Sequence, residues 1–411
     1  MNAIGLLVGL LILAYLGSIL VAGRAIRGYG LPSGSEYILL GLLLGPHALG
    51  VVDRSTLSAL EPIAQVGLAW LAFVIGIDYG FVRERRVSAR RIFAGIFLAL
   101  FSGVGVAATF GALAWQLTDL RGSELLVACI GVGAVSSETT RYAVRWVVER
   151  YSARGPLADL VADIADADDI VPLLAITLAF ALAPTPSVRL ALPFWGFAAA
   201  TLGAGVVLGA LASALLRVEE RPTETWGILL GAALLGMGTA ARLGKSALGL
   251  CFALGLTIAL LAGRRTELRE MAARTEHPVL LPVLVLAGAN VDLRAIPHLP
   301  WIVLAVIAAR VGTKWVTGFL LRFSRAGRGA GPVLGLGLLS SGALTMAFGL
   351  AFALRFDTPM GRAVLVIAAA VTLFGELVGP TTLRLALRRA GEITGAEAGA
   401  PAPGTSEAEP S

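Results

Sequence analysis

The sequence predicts an all-α polytopic membrane protein of about 13 transmembrane helices, arranged as two inverted-topology six-helix repeats with a linker helix and two broken helices crossing at the midplane. Three observations carry that prediction. Of the 411 residues, 57% are hydrophobic and 15% charged, with a mean hydropathy of +0.82, which excludes an ordinary soluble domain. Apolar runs near the ~20 residues a helix needs to cross hydrocarbon fall at 3–21, 31–50, 57–78, 92–117, 122–149, 157–185, 188–216, 222–241, 246–262, 276–293, 299–323, 330–355 and 361–387. Finally, Gly131-Val132-Gly133-Ala134-Val135-Ser136-Ser137 in the fifth run and Gly335-Leu336-Gly337-Leu338-Leu339-Ser340-Ser341 in the twelfth both read Gly-x-Gly-x-x-Ser-Ser. Being seven segments apart, the two copies enter the bilayer from opposite sides, as inverted repeats do.

The organisation follows from that pairing. Residues 1–185 form the first repeat with helices one to six, 186–218 the linker helix seven, and 219–389 the second repeat with helices eight to thirteen. Residues 390–411, rich in Ala, Gly, Pro, Glu and Ser, read as a disordered tail. Loops after odd-numbered segments, with their span ends and the C-terminal flank, hold 23 of the 33 Lys and Arg residues, and the opposite set holds eight. The positive-inside rule then places the N-terminus outside and the C-terminus in the cytoplasm of a multi-pass cell (inner) membrane protein. The net charge of +6 therefore reflects topology rather than nucleic-acid binding. Cys129 and Cys251 both fall inside spans, which leaves no disulfide framework, and neither an enzymatic cofactor nor an enzyme activity is expected.

Charges inside the spans point to the working site. Asp168 and Asp169 sit side by side near the middle of segment six, where each carboxylate costs roughly 2.5–3.5 kcal/mol on insertion scales. Binding a proton or a small cation is a use that would justify them. At ~100° per residue the neighbours point apart, so Asp169 is expected to face an ion cavity and Asp168 protein. Asp159, Asp163 and Asp166 share a flank with Asp169 and read as a cytoplasmic cation funnel. The only deeply placed cations, Arg310 and Lys314, lie one turn apart in segment eleven at matching depth, so Asp168 is expected to pair with one of them. Ser136, Ser137, Glu138, Thr139 and Thr140 in one copy of the motif, and Ser340, Ser341 and Gly342 in the other, mark the expected helix breaks. Asp78 and Glu61 read as interfacial, as do His47, His277 and His298, and Glu376 as a structural hydrogen-bonding group.

These residues resemble the cation:proton antiporter superfamily, with the bacterial sodium/proton exchanger fold. Gly41-Leu42-Leu43-Leu44-Gly45-Pro46 with Leu49-Gly50 is similar to that family's second-segment signature, and Gly67 through Gly76-Ile77-Asp78 to the span after it. The spacing from Ser137-Glu138 to Asp168-Asp169 is similar to that between the family's Thr-Asp break and its paired-Asp site, although Ser-Glu stands here for Thr-Asp. The resemblance implies a secondary antiporter exchanging protons for a monovalent cation, Na+ first and K+ or Li+ next. Asp169 would be the principal carrier of the transported cation, Asp168 its partner, and Arg310 or Lys314 the basic partner. It also implies a homodimer in the lipid bilayer, with segments four to six and eleven to thirteen as a moving core. Competing readings are a K+/H+ antiporter, a sodium-coupled organic-anion symporter, a non-transporting cation sensor, and an intramembrane aspartyl protease. The protease reading is weak, because adjacent aspartates on a helix cannot face each other.

Overall fold

The computed structural model describes residues 34–81, 88–183, 193–218, 221–244, 246–263, 265–325, 327 and 333–393, together with the isolated helical residues Gly5 and Gly9. The expected first span, Lys245, and residues 394–411 of the tail lie outside the described residues. The described residues form helices and no strands. In chain order these are α1 (Ser35–Leu44), α2 (Arg54–Phe81), α3 (Ala89–Leu117), α4 (Gly122–Ser137), α5 (Arg141–Arg150), α6 (Pro156–Ala167), α7 (Ile170–Leu182) and α8 (Phe194–Val218). They continue with α9 (Pro222–Arg242), α10 (Ala247–Leu261), α11 (Arg265–Ala289), α12 (Leu299–Leu321), a 3-10 turn (Leu334–Leu338), α13 (Ala343–Arg355) and α14 (Pro359–Arg389).

Five of these, α2, α3, α8, α12 and α14, are each long and apolar enough to cross a membrane unaided. Most of the α2 and α14 windows are interior, whereas α3, α8 and α12 leave most of their apolar surface outward. Three expected spans are not continuous helices. Segment five divides into α4 and α5, and segment twelve into the 3-10 turn and α13. Segment six divides into α6 and α7 at the aspartates themselves. Pro172 has no N–H to give the Asp168 carbonyl four residues back, and that carbonyl instead accepts from Val171 N at 3.1 Å. Segment ten starts earlier than its apolar run, because Arg265, Arg269 and Arg274 lie on the first turns of α11 rather than in a loop.

Several helices approach closely where a glycine on one faces a backbone carbonyl of the other. On α1 and α11, a Cβ at Gly41 would run into the Val285 carbonyl, and one at Gly288 into the Ile38 carbonyl. On α2 and α10, Gly76 stands the same way against Phe252, and Gly255 against Phe73. Small residues let backbones touch where burial against lipid gives no driving force for association. The segment just after α14 is held against α6. Both Glu392 carboxylate oxygens accept backbone N–H groups of the first turn of α6, from Leu157 and Ala158 at 2.7 Å each.

Candidate ion site at the crossing of two broken segments

Glu138 to Thr140 separate α4 from α5, and Leu339 to Gly342 separate the 3-10 turn from α13, at the two places where the sequence puts its polar residues. The two extended stretches meet: Thr140 N donates to the Ser340 carbonyl at 3.4 Å and Thr139 Oγ1 to the Leu338 carbonyl at 3.3 Å. Unwound backbone leaves carbonyls without helical partners, and here α12 supplies donors. The buried Arg310 guanidinium reaches four of them: Ser136 O at 3.0 Å, Glu138 O at 2.7 Å, Leu339 O at 2.6 Å and Ser340 O at 3.2 Å. One turn on, Lys314 Nζ donates to Glu138 O at 3.0 Å and to Thr139 Oγ1 at 2.6 Å. Both cations thus sit at the C-terminal, negative end of α4.

Glu138 points the other way. Its Oε2 accepts from Thr345 Oγ1 in the first turn of α13, whose positive end favours a carboxylate, while Oε1 has no hydrogen-bond partner. Asp168 is fully buried with the Thr139 hydroxyl beside its carboxylate, and neither oxygen has a partner at full hydrogen-bond geometry. Among the charged groups around it Lys314 acts most strongly, yet there is no ion pair between them. The expected pairing of Asp168 with Arg310 or Lys314 is therefore replaced by a different arrangement: the cations satisfy the broken backbone, and the carboxylate is left open. Ser136 Oγ and Ser340 Oγ are likewise buried without partners.

Asp169, also buried, lines a small enclosed space with Ile75, Asp78, Tyr79, Arg141, Arg145, Asp166 and Arg269. Its volume is about 10 Å³, roughly the room one water needs. Asp168 is not on its wall.

Residues 11–389 match the transmembrane sodium/hydrogen exchanger family. The chain belongs to the sodium/hydrogen exchanger family. The resemblance drawn from the second-segment signature and the paired aspartates is thereby borne out, and the family is one of membrane transporters rather than enzymes. The sodium proton antiporter MjNhaP1 from Methanocaldococcus jannaschii, in its structure at pH 8, matches with a TM-score of 0.70 at 15% identity, over 93% of this chain and 99% of that one. An electron-microscopy structure of the same antiporter gives 0.62 at 17% identity, over 96% and 97%. At these identities the likeness is one of fold. Cation/H(+) antiporter 20 of Arabidopsis thaliana is 28% identical over 158 residues, and cation/H(+) antiporter 19 is 25% identical over 157. Those matches take in 36% and 35% of this chain but 18% and 19% of the relatives, so the chain spans less than a fifth of the length of the curated relatives it matches.

In this chain the three funnel acids do not form a bare stripe. Asp163 accepts from Arg91 at 2.6 Å and Asp166 from Arg145 at 2.7 Å, while Asp159 is exposed. Long arginines on α3 and α5 reach α6, so the flank that Asp163 and Asp166 share is largely neutralised. A second cluster escaped the sequence reading. Arg141, first residue of α5, is buried and pairs with Asp78 of α2 at 2.5 Å and Glu276 of α11 at 3.2 Å, and Arg269 of α11 closes on Asp78 at 2.8 Å. Arg141 is also the charge acting most strongly on Asp169. Asp78 is thus a partner in this cluster and not merely interfacial. The signal that could have found it is the break itself: once segment five divides at Thr140, Arg141 begins a half-helix at membrane depth and needs carboxylates around it.

Proposed function

We propose that this exchanger is a secondary active antiporter that swaps protons for a monovalent cation, Na+ before K+, at Asp168 and Asp169. One observation carries the reading: two adjacent, buried carboxylates stand at a helix break, one with both oxygens unpartnered and the other on a water-sized space. Buried carboxylates that lack partners are tolerated when protonated or when a cation lies against them, and those two states exclude each other at one site. Competition between them is exchange. A space of about 10 Å³ has room for one dehydrated monovalent cation. The choice of Na+ rests on the family the chain belongs to. Arg310 and Lys314 take no cation's place, since they hold the crossing. Arg141 is the resident counter-charge that Asp169 faces when it holds neither proton nor cation.

Exchange also requires access from alternate sides, and two inverted repeats would supply it. The helix pairs α1 with α11 and α2 with α10, each joined through reciprocal glycines, support that division: under the repeat, α1 corresponds to α10 and α2 to α11, so one crossing maps onto the other. On this reading the N-terminus is outside, the C-terminus is cytoplasmic, and the protein is a homodimer in the inner membrane.

The test is cation-driven proton movement in proteoliposomes under an imposed pH gradient, comparing the wild type with Asp169→Asn on adding Na+, Li+ or K+. Dissipation by Na+ or Li+ in the wild type and not in the variant is the expected result. If no monovalent cation moves protons through folded protein over a broad pH range, the antiporter reading fails.

A further inference from the structure

We propose that the groove between α3 and α12 binds one anionic phospholipid, with Arg90 and Arg325 on its headgroup. The groove encloses about 600 Å³ and is lined at one end by these two arginines, beyond which lie Phe93, Phe97, Leu320 and Leu321. It lies apart from the ion site. An outward apolar surface on a membrane helix is ordinary, but a concave one with two exposed arginines in its lining is not. Among the described residues neither Arg90 nor Arg325 has a side-chain partner, whereas their neighbour Arg322 is folded over the Phe319 ring, 3.9 Å from its centroid. Phe93 keeps 69% of its surface exposed, although it forms one wall of the cavity. A charged rim over an apolar trough matches an amphiphile with a negative head and acyl tails.

Position supports the same occupant. Arg90 is in the first turn of α3 and Arg325 lies just past the last turn of α12, so both mark the same end of an antiparallel pair. Both also belong to the loop set that the arginine balance assigns to the cytoplasm, where anionic lipid is concentrated. The helix α12 carries Arg310 and Lys314, so a lipid wedged against it braces the helix that holds the crossing.

The experiment measures thermal stability of the full, delipidated protein in detergent with added dioleoyl phosphatidylglycerol, dioleoyl phosphatidylcholine or inorganic phosphate. Phosphatidylglycerol is expected to raise the melting temperature saturably, and the other two to leave it in place. In Arg90→Gln/Arg325→Gln the half-saturating phosphatidylglycerol concentration should rise on the order of thirtyfold, and Arg90→Lys/Arg325→Lys should restore most of it. The single variants Arg90→Gln and Arg325→Gln serve if the double variant does not fold. Equal shifts with phosphatidylcholine, a shift with phosphate alone, or an unchanged response in the glutamine variants would each overturn the proposal. Because the readout is lipid binding, it stands or falls independently of ion exchange.

Discussion

The Lys314 ammonium ends 2.6 Å from the Thr139 hydroxyl and leaves the Asp168 carboxylate unpaired. Two charges that could neutralise each other at membrane depth are thus kept apart by a backbone with a stronger claim on the cation. Arg310 and Lys314 between them serve five acceptors on the two broken segments: four carbonyls and one hydroxyl. The crossing is therefore a backbone structure held by side chains from a third element, α12.

Removing those donors should act on the fold first. Arg310→Met is expected to lose on the order of 3–5 kcal/mol, since it strands the buried Ser136 and Leu339 carbonyls and takes one donor each from Glu138 O and Ser340 O. Arg310→Lys should recover little, because one ammonium cannot span acceptors on both segments. Lys314→Met removes the donor to the Thr139 hydroxyl while the Glu138 carbonyl still accepts from Arg310, and should cost roughly 1 kcal/mol. Thermal unfolding in detergent, read by fluorescence size exclusion, ranks the three. A Lys314→Met protein as stable as the wild type would mean that the ammonium serves the ion and not the fold.

The aspartates should behave in the opposite way. Asp168→Asn removes a buried carboxylate that has no hydrogen-bond partner and substitutes a neutral group of the same size, so the melting temperature should hold or rise. Exchange should nevertheless fall below detection in proteoliposomes. Loss of folding in Asp168→Asn would show instead that the carboxylate is a structural anion for α12.

Much of this was legible in the sequence because intramembrane charge and polar punctuation are costly and therefore rare. The breaks at Glu138–Thr140 and Leu339–Gly342 fall within or beside the polar stretches Ser136–Thr140 and Ser340–Gly342, with Ser136 and Ser137 still helical at the end of α4, and Asp169 lines the small space beside Arg141. The break at Asp168 was written in Pro172, but an apolar run that spans the bilayer reads as one helix unless the proline's missing N–H is counted. Which cation meets which acid was not legible. Depth along a helix predicts height but not azimuth, and Arg310 and Lys314 both donate to the crossing. Arg141 was hidden by the same error, since in an unbroken segment five it belongs to a basic cytoplasmic end.

Arg141 should set how tightly the cation is held. It is shared among Asp78, Glu276 and the field of Asp169, so it competes with any cation at Asp169. In Asp78→Asn the guanidinium loses one partner and leans on Asp169, and the half-saturating Na+ concentration should rise about tenfold, equivalent to ~1.4 kcal/mol. Arg141→Gln should move it in the other direction. Proteoliposome titrations of both variants decide the matter, and parallel shifts in the two would remove Arg141 from the competition.

The glycines of α14 should be as intolerant as the charges. A Cβ at Gly379 would come 2.7 Å from Ser340 N, and one at Gly375 would come 2.7 Å from Ser341 Cβ, so α14 presses its bare backbone against the second break. Nothing there can swing aside, because Ser340 is fixed through its carbonyl to Arg310 and Thr140 N. Gly379→Ala and Gly375→Ala should therefore each cost about 1–3 kcal/mol from overpacking and displace the break enough to abolish exchange. Gly227→Ala on α9, where a Cβ meets nothing within 4 Å, is the matched control. It should be neutral or stabilising by up to about 1 kcal/mol, as alanine is the better helix former. If all three alanine variants exchange cations at wild-type rates, the close seating of α14 on the break has no part in transport.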